Sequence, residues 1–303
     1  MAQAELENEI SADGNAPSPD TDGDQTSSQG DPNRHTTGTR FTAEEIYDNV
    51  RVAADEELKR PSAALFWSAL AAGLTIGFSF FAGAYLSSLV AEPYRESAAA
   101  VGYPLGFIFV VMARNQLFTE NTLEPIIPLL HCPKWPTLQK LLSLWIIVLI
   151  GNMIGAIIFA AIAADTPIVE PHFKTALLRL AEHSTSGGFG IVIYRAIYAG
   201  WLIALMAWLV ASTHATFAQL ALIWLTTAPI AAFGFRHSIA GAVEAFYRAF
   251  VGSAGWGDML ANFVLPAIIG NIIGGVTFVA LLNHGQVAAD RAAKASKESG
   301  NED

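Results

Sequence analysis

Cys132 is the only cysteine in 303 residues, which excludes a disulfide framework and a cysteine-based zinc site. Charge is scarce as well: 15% of the residues are Asp, Glu, Lys or Arg, against roughly 25% in an ordinary soluble domain. Bases are fewer than acids, 17 to 27, so no basic face is expected for nucleic acid. No metal-ligand cluster and no nucleophile–base motif stands out, which argues against an enzyme, a metal site or a cofactor. No basic start followed by an apolar stretch opens the chain, so no secretory signal peptide is expected.

What the chain has in abundance is apolar surface, at 52% of its residues. The net charge of -10 is local: residues 1–60 hold 14 acids and 5 bases, and the rest is nearly neutral. Residues 1–41, rich in Asp, Ser, Gly, Thr and Pro, cannot bury enough apolar surface to offset their ordering entropy and read as a disordered acidic tail. Thr42 with Glu45 fits a capping box, and Ile46, Val50, Ala54 and Leu58 recur every four residues, predicting an amphipathic cytoplasmic helix over 42–60. Residues 61–284 then form the membrane body, and 285–303 a cytoplasmic C-terminal tail.

Six long apolar blocks build that body: Ala63–Leu89, Ala98–His131, Leu138–Ala164, Gly190–Ser212, Ala215–Val251 and Met259–Leu282. A span needs about 20 apolar residues. The second and fifth blocks are well beyond that length and carry polar interruptions, so both read as broken helices, near Gln116–Thr122 and Gly234–Ser238. Irregular backbone at membrane depth survives only where protein or a watery cavity covers it, and paired broken helices point to a transport site. The segment Leu149–Gly155 recurs as Ile268–Gly274, 119 residues on, each copy a Gly-Asn-x-x-Gly. The same offset carries Thr119 to Ser238. Three spans per repeat is an odd number, so the halves lie in inverted orientation. The glycines let helices approach closely, as membrane interfaces require.

Basic residues set the orientation. With the N-terminus inside, eight (Arg51, Lys59, Arg60, Lys134, Lys140, Arg291, Lys294, Lys297) fall on the cytoplasmic side and four (Arg95, Lys174, Arg179, Arg195) on the other. Both termini are expected in the cytoplasm.

Of seven histidines, only His237 lies deep within an apolar block. Ionisable groups at bilayer depth are costly and mark pathways, and an imidazole exchanges protons near neutrality. Arg114, Glu120, Glu124, Arg236 and Glu244 also fall inside the blocks. Internal pairing is expected, with Glu120 meeting Arg114 or Arg236 and Glu244 meeting Arg248 at i and i+4. The arginines either staple the breaks or add positive potential to an anion path. Phe107, Leu117, Phe118, Tyr103 and Ile230 could form an apolar constriction.

These residues resemble the formate/nitrite transporters over about Ala63–His284. The marks are Leu117-Phe118-Thr119-Glu120-Asn121-Thr122, Phe235-Arg236-His237-Ser238-Ile239 and the paired Gly-Asn-x-x-Gly segments; Met112–Thr122 looks closest to a divergent inner-membrane branch. The resemblance implies an all-α, aquaporin-like fold of six spans, a homopentamer with one pore per subunit, and a bacterial inner-membrane location. It puts His237 and Thr119 at the substrate pathway or proton relay, and Leu117, Phe118, Phe107, Ile203 and Ile230 at two constrictions. The chain departs from the family pattern at Gly200 and Gly241, where the family carries Asn, at Arg236 in place of a Glu, at Glu120, and in lacking a lysine within Ala181–Gly190. The expected function is a channel or proton-coupled transporter for small monovalent anions of weak acids, with the lipid bilayer as its surroundings. A neutral-solute pore is disfavoured because no Asn-Pro-Ala motif occurs; a non-transporting scaffold or sensor is the other alternative.

Overall fold

Thr42 and Glu45 make both halves of the capping box: Glu45 N–H donates to Thr42 Oγ1 at 3.2 Å, and Thr42 N–H to Glu45 Oε2 at 2.7 Å. This starts α1 (Ala43–Glu57), which buries Ile46, Tyr47, Val50 and Ala54. The computed structural model describes residues 41–165, 167 and 169–299. The expectation for the acidic 1–41 tail therefore lies, Phe41 apart, outside the described residues.

The first apolar block is α2 (Ser62–Thr75) followed by α3 (Gly77–Ser88), one 27-residue apolar stretch. The second comprises α4 (Arg95–Gly102), α5 (Pro104–Met112), a 3-10 turn at Glu120–Thr122 and α6 (Ile126–His131). The third is α7 (Trp135–Asp165), and α8 (Pro171–Ser184) then lies between the third and fourth blocks. The fourth is α9 (Phe189–Val210). The fifth divides into α10 (Thr216–Ala232) and α11 (Ser238–Phe250). The sixth runs from α12 (Trp256–Met259) through α13 (Leu265–Gly275) into α14 (Leu282–Ser299), with two wider π-turn segments between them. The described residues are helix and connections without a strand, and four stretches are long and apolar enough to cross a bilayer: Ser62–Ser88, Trp135–Asp165, Phe189–Val210 and Trp256–Lys297. On α7, Ile146, Ile150, Ile154, Ile158 and Ile162 are all exposed; that four-residue spacing makes one apolar stripe facing outward.

Both breaks occur, with boundaries that differ from expectation. The first is longer, 113–125, because the helix restarts only behind Pro125, which has no N–H to contribute and a preset φ. The second, 233–237, is shorter than the first, and its last residue, His237, caps α11.

Two helix pairs hold the breaks, α2 with α7 and α9 with α13, packed through their glycines. A Cβ on Gly155 would stand 2.5 Å from Leu70 O, and one on Gly270 2.6 Å from Ile193 O. At one end of the bundle α1 packs on α6 and on α14. Phe41 meets His214 there edge-on, with ring centres 5.5 Å apart. Arg291 of α14 is paired with Glu44 and Asp48, each at 2.9 Å, Lys294 also reaches Glu44, and the Tyr47 hydroxyl is 2.6 Å from His284 Nδ1. The salt links from Lys294 and Arg291 hold the Glu44 carboxyl below the usual range. At the opposite end Glu96, after the first block, meets His183 of α8 at 3.3 Å.

Candidate functional site

The site is built from two turns of the same design. At the end of α5, Arg114 adopts φ 53, Asn115 N–H reaches Val110 O and Arg114 N–H reaches Val111 O. At the end of α10, Gly234 adopts φ 64, Phe235 N–H reaches Ile230 O and Gly234 N–H reaches Ala231 O. Each is a left-handed helix stop of the Schellman type, and the two are 120 residues apart. An asparagine then ties down each loop. Asn152 Oδ1 accepts from Phe118 N–H at 2.9 Å, and its amide donates to Gln116 O at 2.9 Å and Ala69 O at 2.7 Å. Asn271 Oδ1 accepts from Ser238 N–H at 2.8 Å, and its amide donates to Arg236 O at 3.0 Å and Ala196 O at 2.8 Å.

The repeat offset is therefore 119 at the asparagines and 120 in the loops. Ser238 matches Phe118, not Thr119, and His237 matches Leu117. The polar residue thus takes the capping position in one half and lies two residues further on in the other. Asn152 and Asn271 were visible in the sequence as marks of the repeat; their role as struts required the folded loops.

Thr119 and His237 meet where the breaks converge, with Oγ1 2.8 Å from Nε2, and both are buried. His237 Nδ1 accepts the backbone N–H groups of Ile239 (3.2 Å) and Ala240 (3.1 Å), capping α11. A neutral ring used this way carries its proton on Nε2 and donates it to Thr119 Oγ1. Both ring nitrogens are engaged, so a relay at His237 has no ring nitrogen free toward a permeant in this geometry. The Thr119 hydroxyl hydrogen is given no acceptor among the described residues and is the polar proton left over at the centre.

Phe107 packs edge-on against the His237 ring, 4.9 Å between centres, and Tyr103 lies 5.2 Å beyond Phe107. Leu117, Phe118, Phe107, Ile203 and Ile230 are all buried in the one large apolar cluster of the membrane body.

The expected charge pairs are not formed among the described residues. Arg114 is exposed at its helix stop and Arg236 lies in the other break; neither makes an ion pair with Glu120. Arg236 Nη2 instead donates to the carbonyls of His183 (3.2 Å) and Ser186 (3.3 Å). Glu244 and Arg248 also part, because each is drawn across to the end of α8: Glu244 is bonded by Ser184, and Arg248 Nη1 by Thr185 Oγ1 at 2.8 Å. Two of the departures from the family pattern have packing reasons. A Cβ on Gly200 would stand 2.6 Å from Asn271 Cα, and one on Gly241 2.6 Å from Phe263 Cζ. The first glycine lets α9 touch the strut, and the second leaves its space to Phe263.

On the α8 side of His237 lies a cavity of about 50 Å³, lined by Arg236, His237, Glu244, Tyr103, Phe263 and Leu180 among others, with Glu96 and His183 also on its wall. Sequence reasoning marks Glu244 as a charge in need of a partner and Arg236 as a staple or a source of positive potential, and does not bring the two to one cavity.

A family model described as formate/nitrite transporter matches residues 44–285. The chain is 36% identical over 254 residues to inner membrane protein YfdC of Escherichia coli, covering 84% of this chain and 81% of that protein. It is 28% identical to a probable formate transporter of Methanothermobacter thermautotrophicus, covering 69% and 87%. A solved structure described as a pentameric formate channel with formate bound shares the fold, with a TM-score of 0.62 at 21% identity over 73% of this chain and 95% of that one.

Proposed function

The chain belongs to the formate/nitrite transporter family, a membrane family, and from that premise we propose that it passes small monovalent anions of weak acids, formate among them, in a proton-coupled manner past His237. The observation that carries this reading is the hydrogen bond of 2.8 Å between Thr119 and His237, joining two helix breaks inside an apolar cluster. A bare anion crossing such a cluster meets the desolvation cost of an isolated charge, several kcal/mol or more. Its protonated acid meets far less. Phe107, Leu117, Phe118, Ile203 and Ile230 form the walls that enforce this difference. The Thr119 hydroxyl, steadied by His237, offers the crossing acid one hydrogen bond where it is driest.

Six spans in two inverted halves suit the same reading. The two helix stops and two asparagine struts support the repeat. The contacts of α1 with α14 support a reading in which both ends of the membrane body lie on one face, as an even number of crossings gives. Eight basic residues against four favour the cytoplasm for that face, in a bacterial inner membrane. By analogy with the pentameric formate channel, the assembly is a homopentamer.

Swelling of proteoliposomes in isotonic formate, compared with glycerol, tests the proposal. Entry of formate and exclusion of glycerol are expected. Glycerol entry would replace the reading with a neutral-solute pore, and a folded oligomer passing neither would be a scaffold or sensor.

A further inference from the structure

A weak acid that crosses neutral needs a proton donor on the pathway, and in this structure both nitrogens of His237 are engaged. Resting on the transport reading above, we propose that the cavity beside His237 binds one small monocarboxylate between Arg236 and Glu244, and that Glu244 protonates it there.

Both side chains are committed to the cavity at a cost. Arg236 is 2% exposed and Glu244 4%, both line the cavity, and no ion pair joins them. Buried charges are ordinarily paired, and here the room between them is left for a third group. Arg236 Nε is buried without any partner, a donor left unused on a side chain of the cavity wall. Arg195 adds a second positive charge nearby, its Nη1 lying as close as that of Arg236, 3.9 Å, to the Cβ position of Gly234.

Glu244 is set up to carry a proton. Ser184 Oγ contacts both Glu244 Oε2 and Leu180 O, the latter at 2.9 Å. One hydroxyl hydrogen serves one of these two acceptors. With the hydrogen on the Leu180 carbonyl, the contact with Glu244 holds only if the carboxyl donates. The site therefore accommodates both states: a protonated Glu244 that donates to Ser184, and a carboxylate that accepts from it after Ser184 rotates.

The volume sets the ligand. About 50 Å³ is room for only a few water-sized atoms, which fits a carboxylate of one or two carbons. The anion accepts from the Arg236 guanidinium. The O–H bond of Glu244 then breaks and a new one forms on the permeant, leaving a Glu244 carboxylate and a neutral acid beside His237. The carboxylate is stabilised by Arg236 and by Ser184, and regains its proton from water at the mouth, where Glu96 and His183 lie.

The other ionisable groups around Glu244 do not offer this. Tyr103 and His237 share the cavity wall. Arg248, one turn further along α11, is taken by Thr185 and Ser253. On α8, Lys174 and Arg179 turn away to Ala164 O and Ser87 Oγ, and Asp258 of α12 is bonded by Asn262.

The test is formate flux into proteoliposomes at fixed formate concentration between about pH 5 and 8, for wild type, Glu244→Gln and Glu244→Asp. Without a bound donor, flux follows the neutral acid in bulk water and falls about tenfold for each pH unit. That slope is expected for Glu244→Gln. Wild type should fall less than about threefold over the first unit, and Glu244→Asp should restore the shallower profile. A wild-type profile in folded Glu244→Gln would overturn the proposal. Should Glu244→Gln fail to assemble, infrared difference spectra of wild type decide: formate is expected to perturb the band of a protonated carboxyl, and the absence of such a band refutes the donor role. Wild-type liposomes that admit no formate would refute the transport reading itself, and the proton step with it.

Discussion

Replacing either asparagine strut with alanine should loosen one helix break and leave the rest of the bundle folded. Asn271→Ala removes the acceptor of Ser238 N–H and two donated bonds, to Arg236 O and Ala196 O. A buried N–H left without a partner costs about 1–3 kcal/mol, and each ordinary hydrogen bond lost about 0.5–1.5 kcal/mol. Ala196 O lies within α9, so its loss falls at the lower end. The expected destabilisation is about 3–4 kcal/mol. Asn152→Ala should cost the same to within about 1 kcal/mol, because its three bonds to Phe118, Gln116 and Ala69 are equivalent in kind and length. Equilibrium unfolding in mixed detergent micelles measures both. Aspartate at either position keeps the acceptor but aims an oxygen at two carbonyls, so it should be no better than alanine. A loss below about 1 kcal/mol for both alanine variants would refute the view that these side chains hold the loops. Function should part company with stability: Asn271 fixes the backbone on both sides of His237, so formate flux should fall in any Asn271→Ala protein that still assembles.

Three further outcomes are expected. His237→Asn retains a good helix cap but loses the Thr119 contact, so folded oligomers should form with formate flux reduced or lost throughout about pH 5 to 8; flux equal to wild type across that range would rule out a role for the ring in transport. Arg114→Gly should raise stability by about 0.5–1 kcal/mol, since a side chain at φ 53 is strained, whereas Gly234→Ala, at φ 64 with nothing closer than 3.9 Å, should lower it by about 1 kcal/mol through backbone strain alone; the same micelle unfolding reads both. The clasp of α1 on α14 should open in acid: the Glu44 carboxyl is held low by Lys294 and Arg291, so its contribution is complete above the ordinary carboxylate range and is lost as pH falls through the lowered value. Hydrogen exchange of α1 should therefore quicken on acidification or in high salt, and an exchange rate indifferent to both would count against the clasp.

The sequence by itself determined where the apolar helices run, that two of them break, and that Thr119 and His237 lie in the breaks. Those features are local: a run of apolar residues, a cluster of polar ones, a capping box at Thr42 and Glu45. They follow from transfer free energy and backbone geometry wherever the chain goes. The position of each break's edge was less legible, because Pro125 and the capping side chain of His237 compete with hydropathy for the boundary. Tertiary structure alone decided the partners. Charge counting sent Glu120 to an arginine, but the loops are satisfied by Asn152 and Asn271, and Arg236 finds carbonyls of His183 and Ser186 across a gap of some fifty residues. The loop register, 120 rather than 119, is likewise invisible in a repeat measured on the helices. The placing of Glu244, Arg236 and His237 around one cavity depends on where α8 ends against α11, and distance through space is the one quantity that spacing along a chain does not contain.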